Sequence, residues 1–598
     1  MVDIVERLDA AADPSWGEYP AEEYTDAMVA AMKLGGVDYM YFVSGTEIVY
    51  WQEAIAKAEA RGWAAPRLIT SIHESVALNA AMGSAMVTGK PAATAVHVDV
   101  GTFAYGGGIH TAWRGPYPIL MTAGTGPRAY PESMPGARNN AVQWVQEPRD
   151  QGEILRQYTK MDHRLEHQDN PGLIISRLLQ VAMSEPRGPV YISVPRESAM
   201  LALNGKTRFP TRDELGVARP VAPDSSDARQ IAQWLIQAES PCIYPGKSGR
   251  NPESVDDLVR LAELLAIPVL ETGRVDRMNF PTNHPLFGTG PQPRDADVLL
   301  VLENPVPWQP PRVPAPDAKV VWVDPDPVQS RYKTMEFRAD MWLPVSVASF
   351  ARAVYEAARG MLSKSDMDRI ADRRARLERR KQELVEADER RAEAAGKRRP
   401  LSARWVSYQA CRLMEDPSSI IVDDTISSTS SITPNYHRRS QPGTYFSSGG
   451  SSGGFGSGAA FGAKVAKPDV DVLMVSGDGF MLFGSPLAAL WNAAHAKAPF
   501  LSVVFVNRSY STGVNGLKLI YPEGMAVETN NYQGGVFDPP PDFAKMAEAA
   551  NCYGETVSEP DEVGPALRRG LDQVHKGTPA LIAAYLPTLV EEMALPQP

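Results

Sequence analysis

The alternation of apolar runs and helical-period segments is clearest between residues 471 and 510, DVLMVSGDGFMLFGSPLAALWNAAHAKAPFLSVVFVNRSY. A short apolar run at 472–475 stops at Gly477-Asp478-Gly479. Apolar side chains at helical spacing then fill 485–498, and Pro499 ends that segment. A second, β-rich run at 501–506 stops at Asn507. The pattern predicts strand, turn, helix, strand. A right-handed crossover of that kind brings both strand ends to one edge, so Asp478 and Asn507 are expected side by side.

The same reading extends along the chain. Strands are predicted at 37–43, 68–72, 92–98, 118–122 and 190–194, with a buried helix at 75–86, which makes a parallel α/β domain of residues 1–205. Strands at 242–244, 268–270, 298–302 and 320–323 with a helix at 254–265 predict a second α/β domain over 221–360. Residues 361–400 are dense in Arg, Glu, Asp and Lys. Opposite charges three or four apart, such as Glu378 with Lys381 and Glu386 with Arg390, predict a solvated linker helix. A third α/β domain is expected over 401–598, opening with a strand at 420–422.

A length of 598 residues agrees with about three domains, and 43% hydrophobic with 22% charged residues is an ordinary globular balance. The net charge of −11 argues against a nucleic-acid or anionic-membrane binder, since both attract basic faces. Cys242, Cys411 and Cys552 are too scattered for a metal cluster or a disulfide framework, as expected in a reducing cytoplasm. The acidic start MVDIVERLDAAADPSW does not read as a signal peptide, and no apolar run of about 18 residues marks a membrane span.

Candidate chemistry gathers where the strands end. Asp478 offers a carboxylate, Asn507 an amide oxygen, and the turn through Ser509 and Tyr510 a backbone carbonyl, an all-oxygen set suited to Mg²⁺. Gly477 and Gly479 let the backbone approach a diphosphate. Ser427 and Ser428, in the hydroxyl-rich turn after the 420–422 strand, suit phosphate oxygens, although a helix N-cap wants the same residues. The 27 residues between Gly479 and Asn507 make the pattern specific. At this spacing the stretch resembles the thiamine-diphosphate motif of the acetolactate synthase, benzoylformate decarboxylase and pyruvate decarboxylase superfamily.

The resemblance covers nearly the whole chain. It includes the Gly89-Lys90-Pro91 turn, the Gln146-Glu147 and Thr159-Lys160 pairs and the segment from Gly188 to Arg196. It implies three modules, pyrimidine-binding, central and diphosphate-binding, each a parallel sheet flanked by helices. It implies that Glu74 activates the cofactor from a partner subunit, so that a homodimer is the minimum and a homotetramer is expected. The stretch at 95–124 and the 424–431 turn resemble benzoylformate decarboxylase most, which implies that His97, His284 and Thr46 serve the substrate. The register puts Gly453 where the family carries a bulky apolar residue that supports the bent cofactor, and residues 511–543 match no segment of benzoylformate decarboxylase. No Gly-x-Gly-x-x-Gly fingerprint is present, so FAD is not expected. The implied activity is 2-oxo acid decarboxylation with carboligation alongside. The alternatives are an acetolactate-synthase-like carboligase, a 2-hydroxyacyl-CoA lyase and a non-catalytic relative.

Overall fold

The computed structural model describes residues 16–271, 275–426, 436, 438–450, 452–588 and 591. They form two compact units. The first holds the described residues up to Ala218 together with Gly450–Ala466, and the second holds Arg219–Gly449 and the described residues from Lys467 onward.

In the first unit β1 (Gly17–Pro20) pairs antiparallel with β8 (Lys206–Phe209), apart from the main sheet. The main sheet contains β2 (Tyr39–Phe42), β3 (Arg67–Thr70), β4 (Ala92–Val96), β5 (Ile119–Thr125), β6 (Asp162–Arg164) and β7 (Val190–Pro195), all parallel, in the order β3-β2-β4-β5-β7-β6. β4 and β5 are buried throughout, which accounts for their continuous rather than alternating apolar character. The chain steps from β2 to β3 on one side and then restarts at β4 on the other. That reversal opens a crevice at the carboxyl ends of these strands, the place where open α/β sheets hold ligands.

The helix Glu74–Thr88 starts at His73, whose Nδ1 accepts the Ser75 N–H at 3.2 Å, and stops at Gly89 in the left-handed conformation. Every residue from Val76 to Met86 is buried, because the helix is enclosed between the sheet and a second helix, Gly456–Ala466. The two helices meet backbone to backbone. A Cβ at Gly83 would overlap the Ala459 carbonyl oxygen and one at Gly462 that of Ala80, so only glycine fits. Ser84 Oγ donates to the Gly462 carbonyl at 3.0 Å. The glycine-rich run, read from sequence with the 401–598 domain, thus gives its helix to the first unit.

The second unit contains two parallel sheets. β9 (Pro241–Pro245), β10 (Val298–Leu302), β11 (Lys319–Val323) and β12 (Met341–Leu343) run β12-β11-β10-β9. The strand expected at 268–270 is reduced to bridges of Val269 with Ile243 and Phe287. β13 (Ile420–Asp424), β14 (Tyr445–Ser447), β15 (Val472–Gly477), β16 (Leu501–Val506), β17 (Tyr553–Val557) and β18 (Ala580–Tyr585) run β14-β13-β15-β16-β18-β17. Here too the chain reverses beside an early strand, β13, so this sheet has its own crevice.

The linker is a single helix, Lys364–Gly396, but it is not solvated all round. Lys381 does not pair with Glu378. Its Nζ donates to the Thr282 and Phe287 carbonyls at 2.8 and 3.0 Å, and burial pushes its pKa down to about 8. Arg373 likewise caps the Ala238 and Leu265 carbonyls, Arg369 the Ile236 carbonyl and Arg374 the Glu263 carbonyl, so four cations fasten the helix to the central module. Among the described residues no helix is long and apolar enough to cross a membrane.

Candidate active site

In the first unit three neighbouring strands deliver polar groups to one edge. β3 leads into Glu74, β2 into Thr46 and Glu47, and β4 into His97. Glu47 is fully buried, and three donors converge on it. His97 Nε2 makes a very short contact with Oε2, the Thr46 hydroxyl donates to Oε2 at 2.6 Å, and Gln143 Nε2 donates to Oε1 at 3.0 Å. Burial alone would raise this carboxyl; the bonds from His97, Thr46 and Gln143 outweigh it and hold the pKa near about 2. An ionised Glu47 fixes His97 with its Nε2 as donor and leaves Nδ1 without a partner among the described residues.

The ring is also held sterically. A Cβ at Gly45 would collide with the His97 ring, so the β2 turn and the imidazole pack in direct contact. The residue after His97, Val98, is buried and β-branched at φ 38°, a conformation that costs about 1–3 kcal/mol. Strained residues of this kind cluster at functional sites.

Glu74 stands at the start of its helix, half-buried. Its carboxylate has no hydrogen bond or ion pair among the described residues, and Oε1 lies 3.5 Å from where a Gly101 side chain would begin. The sequence singled out Glu74, His97 and Thr46. It missed Glu47 and Gln143. Glu47 had a signal, an acid directly after a strand, whereas Gln143 lies 96 positions away in the short 3-10 helix Ala141–Trp144 and had none.

In the second unit β15 and β16 are paired neighbours, with Gly477 opposite Phe505, so Asp478 and Asn507 leave adjacent strand ends. Asp478 Oδ2 accepts the Arg508 N–H at 2.6 Å and Oδ1 the Gly479 N–H at 2.8 Å. Asn507 Oδ1 accepts the Ser509 N–H at 3.1 Å, and its amide donates to Ser511 Oγ at 2.9 Å. Residues 508–510 pair with 535–537 through the Arg508 carbonyl and the Tyr510 N–H, so the Ser509 carbonyl is not spent there. Tyr510 packs over Gly479 and stacks on Phe483 at 5.7 Å. The turn Gly477-Asp478-Gly479 opens a short helix, Asp478–Phe483, that the sequence pattern did not reveal.

Asp478 is 2% exposed, and among the described residues no cationic side chain pairs with it. Burial raises its pKa to about 6, against the lowering effect of its backbone bonds. A buried carboxylate without a counter-charge suits a bound cation. Among the described residues no three His, Cys, Asp or Glu side chains cluster as metal ligands. One carboxylate supplemented by amide, carbonyl and ligand oxygens is instead the set Mg²⁺ accepts. Ser427 and Ser428 lie outside the described residues.

His284 is placed on a turn of the central module. Its Nδ1 accepts the Leu286 N–H at 3.1 Å, its Nε2 contacts Glu263 at 3.3 Å, and Phe280 packs edge-on at 5.1 Å. Gly453 lies in the irregular segment before the Gly456–Ala466 helix, two residues from the buried Phe455. Residues 511–543 form the helix Ser511–Ile520 and a short turn of helix, Met525–Glu528. Leu519, Ile520, Tyr521 and Met525 are exposed there.

The Glu47 cluster should be visible in stability. Its pKa is depressed on folding, so its contribution, on the order of 3 kcal/mol, is present above about pH 4.5 and fades as pH falls toward 2. The melting-temperature gap between wild type and Glu47→Gln is expected to narrow between pH 5 and pH 3. A gap independent of pH would contradict an ionised Glu47.

Three family models match the chain. They are the N-terminal TPP binding domain of thiamine pyrophosphate enzymes over residues 22–154, the central domain over 228–342 and the C-terminal TPP binding domain over 426–584. The chain is 26% identical over 462 residues to a benzoylformate decarboxylase of Pseudomonas aeruginosa, covering 74% of this chain and 79% of that protein. It is 23% identical over 568 residues to a probable acetolactate synthase large subunit of Methanocaldococcus jannaschii, covering 91% and 89%. Its fold matches the thiamine diphosphate-dependent 4-hydroxybenzoylformate decarboxylase of Rhodococcus jostii with a TM-score of 0.72 at 20% identity, covering 94% of this chain and 99% of that one. Sheets of this order and family models along most of the length point the same way, and the chain belongs to the thiamine pyrophosphate enzymes, with their three-domain fold.

Proposed function

We propose that this chain is a thiamine-diphosphate- and Mg²⁺-dependent lyase that releases CO₂ from a 2-oxo acid, with carboligation as an accompanying reaction. The observation that carries the reading is the Glu47–His97 pair beside Glu74 at one strand edge, because decarboxylation needs fixed groups that hold and return protons. The benzoylformate decarboxylase likeness agrees with it.

When bound, thiamine diphosphate supplies the nucleophile and the electron sink, which no side chain provides. The protein's part is positioning and proton traffic. Asp478, Asn507 and the Ser509 carbonyl are the proposed Mg²⁺ ligands. Gly477, Gly479, Ser427, Ser428 and Tyr510 are proposed to line the cofactor. Glu74, with its carboxylate unspent, is the proposed proton-holding partner of the cofactor, reaching it in a homodimer or larger assembly. His97 is the proposed proton carrier for the substrate through Nδ1, since Nε2 is committed to Glu47. Thr46 spends its hydroxyl proton on Glu47 and retains lone pairs to accept from a substrate. His284 enters as a secondary carrier. Its Nδ1 is used by Leu286, and only Nε2, in a long contact with half-exposed Glu263, is able to exchange.

The test is CO₂ release from a panel of aliphatic and aromatic 2-oxo acids with thiamine diphosphate and Mg²⁺ added. Release without any acceptor, retained in full chain purified free of other lyases, is the expected result. The full-length likeness to the probable acetolactate synthase supports a second reading, in which release depends on a second carbonyl compound. Release only with such an acceptor would replace the first reading by the second, and no release under either condition would sink both.

A further inference from the structure

Gln143 reaches Glu47 from a turn of chain whose pattern is inverted. In the short 3-10 helix Ala141–Trp144 the buried residue is the amide, 1% exposed, while the apolar Val142 and Trp144 are exposed and Val145 follows at 82%. Hydrophobic burial would favour the opposite, with the valine and the tryptophan inward and the amide in water. Polar bonds hold the turn in this sense. Asn140 Oδ1 accepts the Val142 N–H at 3.3 Å, and Gln143 Oε1 accepts the N–H groups of Asn139 and Asn140 at 2.7 and 3.2 Å.

Those last two bonds decide which way the amide faces. Reversed, its NH₂ would meet two backbone donors, so the oxygen belongs to the turn and the nitrogen to Glu47. Nε2 donates to Glu47 Oε1 at 3.0 Å and to Asn139 Oδ1 at 3.3 Å. Asn139 is fixed in turn by Arg196, directly after β7. That guanidinium donates through Nη2 to Asn139 Oδ1 at 3.1 Å and to the Ala137 carbonyl at 2.9 Å, and through Nε to the Gly136 carbonyl at 3.0 Å. A line of hydrogen bonds thus runs from Arg196 through Asn139, Gln143 and Glu47 to His97, from β7 to the end of β4.

The two oxygens of Glu47 have different partners. Oε2 takes His97 and the Thr46 hydroxyl, whereas Oε1 has Gln143 alone among the described residues. Without that donor Oε1 would be a fully buried acceptor left empty, and a proton taken up on that oxygen would relieve it. A neutral Glu47 no longer holds the imidazole by charge.

We propose that Gln143 is a positioning residue for the chemistry at this edge, keeping the Glu47 carboxylate ionised and turned so that Oε2 stays on His97 Nε2 and Nδ1 remains the nitrogen that exchanges a proton. The inference rests on the reading of His97 as proton carrier.

The test is Gln143→Leu, which keeps the bulk of the side chain and loses the donor, in the full chain with thiamine diphosphate and Mg²⁺. The first measurement is thermal melting. Burial raises the Glu47 pKa, and the Gln143 bond is one of those that lower it on folding, so what this bond contributes is present above about pH 4.5 and lost as pH falls. The melting-temperature gap between wild type and Gln143→Leu is therefore expected to be wider at about pH 6 than at about pH 3.5. The other titratable groups facing Glu47 are His97 from β4 and Tyr50 from the helix Val49–Arg61, and burial holds the Tyr50 phenol far above its usual range, neutral throughout this window. A group that only fills space would give a gap that does not vary with pH. The second measurement is CO₂ release, in which kcat is expected to fall about 10-fold or more with KM within about threefold. That fall should be absent when the same substitution is made in Glu47→Gln, where there is no charge left to hold. Gln143→Asn keeps an amide but is a methylene short of Glu47; it is expected to show the same gap and guards against a folding defect in the Leu variant. A gap independent of pH in both variants would overturn the proposal. So would an unchanged kcat, or an equal loss of kcat in the Glu47→Gln background. A wild type inert toward every 2-oxo acid that still shows the pH-dependent gap would sink the decarboxylation reading alone and support Gln143 as the group that holds Glu47.

Discussion

Glu74→Gln is expected to lower CO₂ release by at least about 100-fold while the protein folds and melts much as before. Glutamine keeps the volume of glutamate and its capacity for neutral hydrogen bonds, but it cannot hold or give up a proton. A glutamate that serves only as the first residue of the Glu74–Thr88 helix would contribute through the helix dipole, about 1 kcal/mol or less, and nothing to turnover. The two roles therefore predict opposite pairs of results. Loss of turnover with an unchanged melting temperature marks a proton-holding residue; a lowered melting temperature with turnover retained marks a helix start. The carboxylate is half-buried, spends none of its acceptor capacity on described neighbours and stands near Gly101 of the helix Val98–Ala104, so it is open to either role.

What the sequence made legible was whatever depends on local pattern. The run at 298–302 is strand β10 as read, and the strand, turn, helix, strand reading of 471–510 places Asp478 and Asn507 on neighbouring strand ends. Hydrophobic period and breaker residues decide these without help from distant chain. Three things escaped because they are decided at long range. Asp162–Arg164 is too short and too polar to read as a strand, and becomes β6 only because β7 supplies its hydrogen bonds. Gly456–Ala466 reads as part of a glycine-rich run until the Glu74–Thr88 helix is laid against it, when Gly458 and Gly462 leave no room for a side chain. Lys381 reads as half of a helical ion pair, yet the backbone carbonyls of Thr282 and Phe287 outcompete Glu378 for it. The same division holds in the site. Glu74 and His97 were legible at strand ends, while Glu47 gains its meaning only from Gln143 and His97 converging on it.

Without a divalent cation the protein is expected to lose stability as pH rises from about 4 to about 6, and Asp478 is one reason, beside Glu271 and Asp324, whose carboxyls burial also raises, to about 7. The Asp478 pKa is about 6 when folded against 3.8 ordinarily, so between those values the folded chain binds more protons than the unfolded one. Stability therefore falls with rising pH across that window, by on the order of 3 kcal/mol at this one group. Above it the folded chain carries a buried, unpaired carboxylate. Mg²⁺ with thiamine diphosphate would supply the missing charge, so the rise in melting temperature on adding both is expected to be several degrees larger at pH 7.5 than at pH 5, where the proton must first be displaced. Asp478→Asn should remove Asp478's share of the downward slope, leaving that of Glu271 and Asp324, and should abolish the pH dependence of the Mg²⁺ response, because an amide costs the same to bury at either pH. It should also abolish turnover, since neutral amide oxygens alone hold Mg²⁺ poorly. A wild-type response to Mg²⁺ that does not change with pH, or one that Asp478→Asn leaves intact, would remove Asp478 from the metal site and leave its burial to be explained by packing.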